Sequence, residues 1–565
     1  MLSCCAGPLN DDDQPQATKA LMVLGVGING FWRLPLAYFL TDGTNADLQT
    51  SMLRSIISRL YVDCGCVVIS VTLDGLAANQ KTLQNLGCCL DPDNLNSLFP
   101  HPANPDLFVA AVFDACHMMK LARNCLNEYQ IITIPGVGKA KWQHLELLHA
   151  KQTSEGLRLG NKLTKAHLAF KNQKMKVRLA VQIFSASCAS AIEFLRKNNV
   201  AGFTDSEATE TLLRTLDRAF DLLNARTQFG KGFKSAISVR NVEHRINTLD
   251  ETKHFLLNLQ DSSGTKLVKT KRRTFVLGLC VTIDSVIYLC KRLILGDGIN
   301  GVKLRYIPTY KLSQDNIEIM FGLIRRRGGW SNNPTALQFC YTYRAILSHV
   351  GVVTSPSSNV IADFTDDIMQ HVVEDDVFVG NNFVGLDHSY CSILPTLSSY
   401  VDNVCVYISG FVVRRLLPKL KCADCRALLV DVAKTSAPDT IFLELKDNGG
   451  LICPSRGVVR IVQAAERNFR ALVPNNKPVH AISRLGMTLE CAVLSDINCY
   501  EVFKQAQHNA EQVSNIDSHV STVVRQIVRF FLDIRKFHVS KMWNIENRGT
   551  MVRQKMTKLV LFNNQ

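Results

Sequence analysis

The chain has 565 residues, which is too many for a single hydrophobic core and indicates two to four domains. Its composition, 47% hydrophobic and 20% charged, is that of a folded protein and excludes a largely disordered chain. The 64 basic residues outnumber the 49 acidic ones, giving a formal net charge of +15. This excess suits a polyanionic partner, although a basic protein without such a partner would carry the same charge.

The cysteines and the apolar segments indicate a soluble protein. The 19 cysteines are odd in number and lie mostly in apolar stretches, as reduced thiols of intracellular proteins do. The first 16 residues lack the basic start and apolar run of a secretory signal. Residues 274–290 are the most membrane-like segment, but they are few and include Asp284, so we expect a buried helix. We expect no membrane partner and a nuclear or cytoplasmic location.

The first 125 residues predict an α/β domain that opens with a hairpin. Two apolar runs from Leu21 onward flank the pair Asn29-Gly30, which is a strong hairpin signal. Residues 46–62 follow with the apolar spacing of an amphipathic helix. We therefore expect two paired strands and a helix ahead of the first buried strand.

Two carboxylates come at the ends of the next predicted strands. A buried strand over residues 64–73 ends at Asp74, and a second strand ends near Asp114 before another helix. In an open sheet, sites form at the edge where the strands end, so these carboxylates mark a candidate site. An aspartate in this position is as often only the N-cap of the next helix, and that interpretation stays open for Asp74.

The sequence "SQDNIEIMFG" at 313–322 places two acids in the first turn of a predicted helix. Ser313 is a natural N-cap, and Asp315 and Glu318 then share one face of the helix. The apolar residues within 317–321 are expected to anchor this helix in a core. Capping is the simpler role for Asp315, whereas Glu318 lies beyond the cap and is the better candidate for a ligand.

A metal site is one way to use these acids. If Asp74 and Glu318 converge, they supply two oxygen ligands of the kind that Mg²⁺ or Mn²⁺ prefers. Such ions support phosphodiester cleavage by activating water and stabilising the leaving oxygen. The intervening residues 126–300 are mainly helical in pattern and would then be an insertion into the sheet domain.

Several blocks of sequence occur in an order that is found in one known family. They are VTLDGLAANQKTLQNLG, FDACHMMKLARN, GNKLTKAHLAFKNQKMKVRLAVQ, FDLLNAR, SQDNIEIMFGLIRRRGGWSNNPTALQF and YISGFVVRRLLPKLKCADCRALL. Together they resemble the P-element-type DNA transposases, a group that includes the THAP-domain transposases, over nearly the whole chain. The resemblance implies an α/β RNase H-like catalytic domain interrupted by a mainly α-helical GTP-binding insertion and followed by a helical C-terminal region.

The expected domain boundaries follow from this resemblance and from the changes in sequence pattern. They are 1–125 for the N-terminal part of the RNase H-like domain, 126–300 for the helical GTP-binding insertion, 301–345 for the C-terminal part of the RNase H-like domain, 346–400 for a loop-rich linker and 401–565 for the helical C-terminal region.

The resemblance also implies roles for the acids. The family uses a catalytic triad of Asp, Asp and Glu, and Asp74 matches the second Asp while Glu318 matches the Glu. Both are therefore expected to hold Mg²⁺ or Mn²⁺. Asp315 matches a family acid that is associated with the nucleotide, so the two acids of "DNIE" are expected to serve different ligands.

The nucleotide residues of the insertion are implied in the same way. Lys162 and Lys176 are candidates for the phosphates of GTP, and Val177 belongs to the same block as Lys176. Asp221 and Asn224, three residues apart in "FDLLN", are expected to share a helix face and to contact guanine or ribose. GTP hydrolysis is not implied.

Other patterns are weaker. "IPGVGKAK" resembles a P-loop, but Ala140 stands where Ser or Thr must follow the lysine. Cys422 and Cys425 form a CxxC without a second pair at fixed spacing, so zinc binding stays open. "IRRRGGW" (324–330) and "RQIVRFFLDIRK" (525–536) are candidate contacts for DNA phosphates, although solvated helix faces are an equal alternative.

The sequence departs from the family pattern near its start. The first Asp of the triad is expected on a strand ahead of the hairpin, but the acids at 11–13 lie in a polar segment, and Cys4 and Cys5 do not complete a zinc module. The resemblance therefore implies one of two proteins. The first is a truncated or degenerate transposase that acts on transposon ends and target DNA in the nucleus. The second is a catalytically inactive derivative that keeps DNA and GTP binding. A homo-oligomer is expected in either case.

Overall fold

The protein is described by a computed structural model that covers residues 17–28, 30, 32–43, 45–327, 333–350, 394–420, 422–473, 485–497 and 519–546. Its residues form two compact units. Unit 1 comprises Met1–Gln143, Lys165–Ser185 and Glu207–Gly385, and unit 2 comprises His144–Thr164, Ala186–Ser206 and Leu386–Gln565. Each unit is described by itself.

The described strands all lie in the first 307 residues. They are β1 Lys19–Val26, β2 Arg33–Thr41, β3 Ser70–Leu73, β4 Leu98–His101, β5 Asn104–Phe113, β6 Ile131–Ile134, β7 Gly138–Lys141, β8 Ile237–Ser238 and β9 Tyr306–Ile307. They form one three-stranded sheet in the order β3-β5-β4 and three two-stranded sheets, β1-β2, β6-β7 and β8-β9.

The described α-helices run through both units. They are α1 Ala46–Cys64, α2 Ala77–Leu86, α3 Ala115–Tyr129, α4 Gln143–Glu155, α5 Lys165–Leu168, α6 Val177–Ile183, α7 Ala186–Lys197, α8 Glu207–Leu223, α9 Val242–Asn258, α10 Thr274–Cys290, α11 Asp315–Arg327, α12 Ala336–Val350, α13 Ser399–Leu416, α14 Ala423–Ala427, α15 Ile441–Lys446, α16 Arg456–Leu472, α17 Leu485–Asp496 and α18 His519–Glu546.

The predicted hairpin is confirmed as β1 and β2, which pair in antiparallel register from Lys19 opposite Thr41 to Val26 opposite Arg33. Asn29 itself lies outside the described residues. The ammonium of Lys311 donates to the backbone carbonyls of Gly27 and Gly30 in the connecting turn. The turn is therefore tied to the segment that precedes α11.

The next strand is shorter than predicted. Residues 64–73 were expected to form one strand, but α1 extends to Cys64 and ends with Gly65 in the left-handed region at φ 63°. The strand β3 begins only at Ser70, where parallel pairing with β5 starts. The apolar composition of residues 64–73 is typical of a strand. However, a β-strand also needs a hydrogen-bonded neighbour, and only the residues from Ser70 onward pair with β5. The pattern also missed α2 and β4, which lie between the two predicted strands.

The sheet is covered by α10, the segment that was expected to be a buried helix. Thr282 Oγ1 accepts the Phe113 backbone N–H at 2.9 Å, and Ser285 Oγ donates to the Ala111 carbonyl of β5. By length and composition two stretches, Thr274–Leu295 and Val177–Lys197, could cross a membrane. They are 72% and 56% buried within the protein over their most apolar windows, so this is weak evidence for a membrane protein.

A second core of unit 1 joins the hairpin to α11 and α12. Met22 of β1 packs with Met320 and Ile324 of α11 and with the aromatic residues Phe339 and Tyr343 of α12. The expectation that α11 is anchored by its apolar residues is therefore confirmed, with one correction. The side chain of Ile319 is 48% exposed, because it lies on the face of α11 that points away from this core.

The insertion is mainly helical, as expected, but it opens with a small hairpin. The "IPGVGKAK" segment forms the end of β6, a turn and the strand β7, with Ile134 paired to Gly138. A P-loop requires a loop that leads into a helix N-terminus, so this segment has the wrong structure as well as the wrong sequence.

Unit 2 is built around three long helices, α13, α16 and α18, with a buried charge network between them. The Glu466 carboxylate is fully buried and lies 2.8 Å from both Arg470 Nε and Arg535 Nε. The Arg535 guanidinium is only 4% exposed and also packs over Phe469. Arg535 is therefore not an available cation of the 525–536 segment, and DNA contact by the rest of that segment stays a prediction.

We predict that Thr282→Val destabilises the protein by about 1–3 kcal/mol. Valine has nearly the same shape, but it leaves the buried Phe113 N–H without an acceptor at the end of β5. The free energy of unfolding from urea titration measures the effect. Thr265→Val, a change in an exposed turn of the same unit, is the control and should cost less. Equal costs for the two variants would contradict this account.

Candidate functional site

Asp114 is the buried carboxylate at the end of β5. Its side chain is 4% exposed, and its backbone N–H donates to the Leu73 carbonyl, which joins the ends of β5 and β3. Oδ2 accepts the His117 N–H at 2.8 Å and so caps α3, while Oδ1 accepts the Gln314 N–H at 3.3 Å. One carboxylate therefore connects the sheet edge, α3 and the residue that precedes α11.

The first turn of α11 lies against the start of α3. Ser313 Oγ accepts the Asp315 N–H at 3.3 Å, which is the capping contact expected from the sequence. Asp315 Oδ1 lies 4.0 Å from the thiol of Cys116 on α3. Glu318, one turn further along α11, is exposed to solvent. The turn thus brings Asp315 and Glu318 to the same sheet edge as Asp114.

Like charges act on each other in this cluster. Although Glu318 is exposed, partial desolvation by the neighbouring protein raises its pKa. The charges of Asp114 and Asp315 raise this pKa further, against the opposing charges of Lys120 and Arg325. Burial also raises the pKa of Asp315, against the opposing guanidinium of Arg226. Carboxylates crowded in this way are stabilised by a nearby cation.

Asp74 lies at the end of β3, as predicted, but its carboxylate has local partners. Its Oδ1 accepts the Leu76 N–H at 3.0 Å and the Asn79 side-chain amide at 2.6 Å, so it fixes the start of α2. Burial lowers the pKa of His117, and the negative charges of Asp74 and Asp114 act in the opposite direction. Asp74 therefore borders the Asp114 cluster through His117.

A complete metal site is not formed by the described residues. Within the ranges that the structure describes, no three or more His, Cys, Asp or Glu side chains are grouped so that they could hold a metal ion. A site made by Asp74 and Glu318 stays a prediction. The same holds for zinc at Cys422 and Cys425, where burial raises the Cys425 pKa to about 11.

The predicted guanine contacts lie at the end of α8. Burial and the neighbouring charge of Asp217 raise the pKa of Asp221 to about 6, against the opposing charge of Lys234. Asn224 Oδ1 is buried without a hydrogen-bond partner in the described part of the chain. Guanine presents N–H donors that a carboxylate and an amide oxygen accept, so these two side chains fit the base.

The two lysines that are predicted to contact the phosphates of GTP lie in different compact units. Lys176 immediately precedes α6 and Val177 is its first residue, both in unit 1 with Asp221 and Asn224. Lys162 belongs to unit 2. A site that contains all five residues of the insertion stays a prediction.

Two arginines near these residues were not identified from the sequence. Arg226 lies two residues after Asn224, and its Nη2 donates to Asp315 Oδ2 at 3.0 Å. Arg123 is fully buried on α3, and its Nη2 donates to the Lys174 carbonyl at 2.8 Å. The only sequence signal for either was its place in a block shared with the family, "FDLLNAR" for Arg226 and "FDACHMMKLARN" for Arg123.

The end of α8 is joined to the segment before α11 by further contacts. Thr309 Oγ1 donates to the Leu222 carbonyl at 2.6 Å and accepts the Ala225 N–H at 2.9 Å. The Tyr310 N–H donates to the Ala225 carbonyl, and the Tyr310 ring lies 5.7 Å from the Arg226 guanidinium. The nucleotide candidates and Glu318 are thus connected through a short, hydrogen-bonded path.

Models of transposase domains match four parts of this chain. They are the "TNP-like, RNase H N-terminal domain" at 2–87, the "TNP-like, GTP-binding insertion domain" at 116–236, the "TNP-like, RNase H C-terminal domain" at 310–344 and the "DNA transposase THAP9, C-terminal domain" at 396–541. The chain belongs to the P-element-type transposases. An RNase H-like domain with a GTP-binding insertion, expected from the sequence, is confirmed at this level.

Two relatives of this P-element-type protein show the extent of the similarity. It is 28% identical to the human DNA transposase THAP9 over 560 residues, 95% of this chain and 60% of that protein. It is 28% identical to the Drosophila melanogaster transposable element P transposase over 342 residues, 60% of this chain and 42% of that protein. The chain therefore spans less than two thirds of the length of either relative.

A solved structure supports the fold. The chain resembles a chain of the Drosophila P element transposase strand transfer complex with a TM-score of 0.50 and 24% sequence identity, covering 59% of this chain and 70% of that one. The similarity in sequence and fold supports a transposase-related function for this P-element-type protein.

Proposed function

We propose that this protein functions as a P-element-type DNA transposase, with GTP bound in its helical insertion as a cofactor. The observation that carries the proposal is the position of α11. Its first turn brings Asp315 and Glu318 to the edge where β3 and β5 end, and it is tied to the end of α8 by the Arg226–Asp315 ion pair at 3.0 Å. The insertion, through Arg226, and the sheet edge, through Asp114, therefore both contact the start of α11.

GTP is assigned to the end of α8 by the chemistry of its side chains. The Asp221 carboxylate and the unpartnered Asn224 Oδ1 accept the N–H groups of guanine, which adenine does not present in the same pattern. Lys176 is available for a phosphate, and the Arg123 contact to the Lys174 carbonyl holds the segment that leads to it. When bound, GTP supplies guanine donors and phosphate charges that hold these helices together.

DNA is assigned to the basic end of α11. Arg325, Arg326 and Arg327 form its last turn and are exposed to solvent. Arginines in this arrangement neutralise backbone phosphates without reading the base sequence. Residues 328–330, including Trp330, lie outside the described residues. In the C-terminal helix α18, Arg529 is paired with Glu490 at 2.6 Å, so Arg525 is the more available cation of that segment.

Strand cleavage and joining are the activity that the family relation supports, with Asp74 and Glu318 as the proposed carboxylates for Mg²⁺ or Mn²⁺. These ions supply charge stabilisation for phosphodiester chemistry when bound. The described residues do not form a complete set of ligands. The hydrogen bonds by which the Asp74 carboxylate fixes the start of α2 favour a second candidate, a catalytically inactive derivative that keeps the GTP and DNA sites.

We predict that Asp221→Ala weakens GTP binding by about tenfold or more, because a hydrogen bond to a charged group contributes about 1.5–3 kcal/mol. Calorimetric titration of the full chain with GTP measures the effect. Asp250→Ala, a change at an exposed aspartate of the same unit, is the control and should leave the affinity unchanged. Undetectable GTP binding by the unmodified chain would remove the nucleotide assignment.

The affinity for GTP should also fall at acidic pH, because the Asp221 carboxylate becomes protonated. The pKa of its carboxyl is raised to about 6, so protonation below that pH removes the acceptor for the guanine N–H groups. We expect a loss of up to about tenfold per pH unit below 6. Asp221→Asn should lack this component, while titration of the GTP phosphates affects both proteins equally. Identical pH profiles for the two proteins would contradict the role of Asp221.

DNA cleavage gives a separate prediction. If the chain is an active transposase, it nicks supercoiled DNA in the presence of Mn²⁺, and Asp74→Asn and Glu318→Gln each reduce the nicking rate at least a hundredfold, since each removes a charged oxygen ligand. Asp106→Asn, at the exposed start of β5, is the control. If nicking persists in both variants, or if the unmodified chain does not nick DNA, the protein is the catalytically inactive derivative.

A further inference from the structure

Two phenylalanines of one loop in unit 1 have opposite environments. Residues 226–235 connect the end of α8 to β8, and we call them the Phe229 loop. The Phe229 side chain is 91% exposed, the highest value for a large hydrophobic residue in the part of the chain that the structure describes. The Phe233 ring instead contacts two guanidinium groups, that of Arg245 at 4.4 Å and that of Arg218 at 5.7 Å from the ring centre. Phe233 therefore anchors the loop, whereas Phe229 is presented to solvent.

Hydrogen bonds fix the two ends of the Phe229 loop. The Ala236 N–H donates to the Thr227 carbonyl at 2.9 Å and so closes the loop at its base. Arg245, only 6% exposed, donates through Nη2 to the Gly232 carbonyl at 2.6 Å and to Ser235 Oγ at 3.0 Å. The loop is therefore held in one shape by a buried arginine of α9.

Glycines are required where the Phe229 loop folds back on itself. A β-carbon at Gly230 would lie 2.5 Å from the Lys234 carbonyl oxygen, which is too close for any other residue in this shape. Gly232 has φ 57°, in the left-handed region. A single exposed apolar side chain is ordinary on a protein surface. Here, however, the surrounding loop is closely specified and still leaves Phe229 in water, which indicates that the ring has a ligand.

The charges of the Phe229 loop indicate the chemistry of that ligand. The loop contains Arg226, Lys231 and Lys234 and no acid. Arg226 is paired with Asp315, whereas Lys231 and Lys234 are exposed. An exposed aromatic ring beside cations is the combination by which proteins bind single-stranded nucleic acid, because the ring stacks on a base and the cations neutralise phosphates. An apolar protein surface fits less well, since it would have to desolvate the lysines.

We propose that the Phe229 ring stacks on an unpaired base of DNA, with Lys231 on an adjoining phosphate. The inference deepens the proposed function, because it takes DNA as the partner. DNA fits better than the guanine of GTP, since Asp221 and Asn224 are half-buried whereas Phe229 lies in open solvent where a polymer can pass. The bases of a closed duplex are covered by their neighbours, so the ring acts on unpaired bases.

The test is fluorescence anisotropy of the full chain with a labelled duplex that carries an unpaired thymine extension, and with the same duplex without it. We expect Phe229→Ala to weaken binding of the extended DNA at least about fivefold and that of the blunt duplex less than about twofold. Phe229→Leu, which is apolar but has no ring, should behave like Phe229→Ala, and Phe229→Trp should retain the affinity. Phe108→Ala, at an exposed phenylalanine of the same unit, is the matched control.

Two further readouts separate stacking from charge. The fluorescence of Phe229→Trp should be quenched by the extended DNA beyond the change shown by the four native tryptophans of the unmodified chain. Lys231→Gln should lower the slope of log affinity against log salt concentration by about 0.7, whereas Phe229→Ala should leave that slope unchanged.

The other outcomes overturn the proposal in distinguishable ways. If the unmodified chain and Phe229→Ala bind the extended DNA equally, stacking is refuted and the proposed function stays intact. An equal loss on both DNAs overturns the assignment to unpaired bases. Weaker GTP binding or altered sedimentation by Phe229→Ala, with normal DNA binding, assigns the ring to the nucleotide or to a contact between copies of the chain. If the unmodified chain binds neither DNA, the DNA assignment of the proposed function fails together with this inference.

Thermal unfolding checks that Phe229→Ala is folded. If it is not, Phe229→Leu is measured against the same criteria.

Discussion

The Asp114 carboxylate is the constraint on which the candidate site depends. It caps α3 through the His117 N–H and holds the Gln314 N–H, which lies 200 residues further along the chain. Its own backbone N–H is part of the pairing between β5 and β3. Because both carboxylate oxygens are used, Asp114 fixes the start of α11 relative to the sheet edge. The Thr72 hydroxyl of β3, which donates to the Leu312 carbonyl at 2.9 Å, holds the same segment beside the strand ends.

A second set of contacts connects the insertion to that turn. Thr309 is fully buried and bonds to the backbone of α8 at both Leu222 and Ala225, and Arg226 then reaches Asp315. The side chains that fit guanine lie on the last turn of α8 and just after it. A ligand that orders the end of α8 therefore orders the first turn of α11 as well. Under the proposed function, this path couples the GTP site to the turn that carries Glu318.

The elements with strong local signals were predictable. The hairpin followed from the apolar runs around Asn29-Gly30, α1 followed from apolar periodicity, and α10 was expected to be a buried helix despite its hydropathy. The sequence-based predictions failed where contacts with residues distant in the chain decide the structure. The apolar run at 64–73 became a helix end and a four-residue strand, because pairing with β5 begins only at Ser70. Arg535 lies in a basic segment of the sequence, but in the structure Glu466 holds it in the interior of unit 2.

The sequence alone determined which family this protein resembles and which acids are candidates for its site, because ordered blocks of residues and short-range helix signals are local properties of the chain. It named Asp74, Asp221, Asp315 and Glu318 on that basis. Only the tertiary structure placed Arg226 beside Asp315 and showed that Asp114 joins the sheet edge to the residue before α11. Their roles arise from contacts between residues far apart in the chain, such as Arg226 with Asp315, 89 residues later. Whether an acid caps a helix or faces a ligand depends on how deeply its carboxylate is buried and on which charged side chains lie beside it. Both are decided only when the segments pack together.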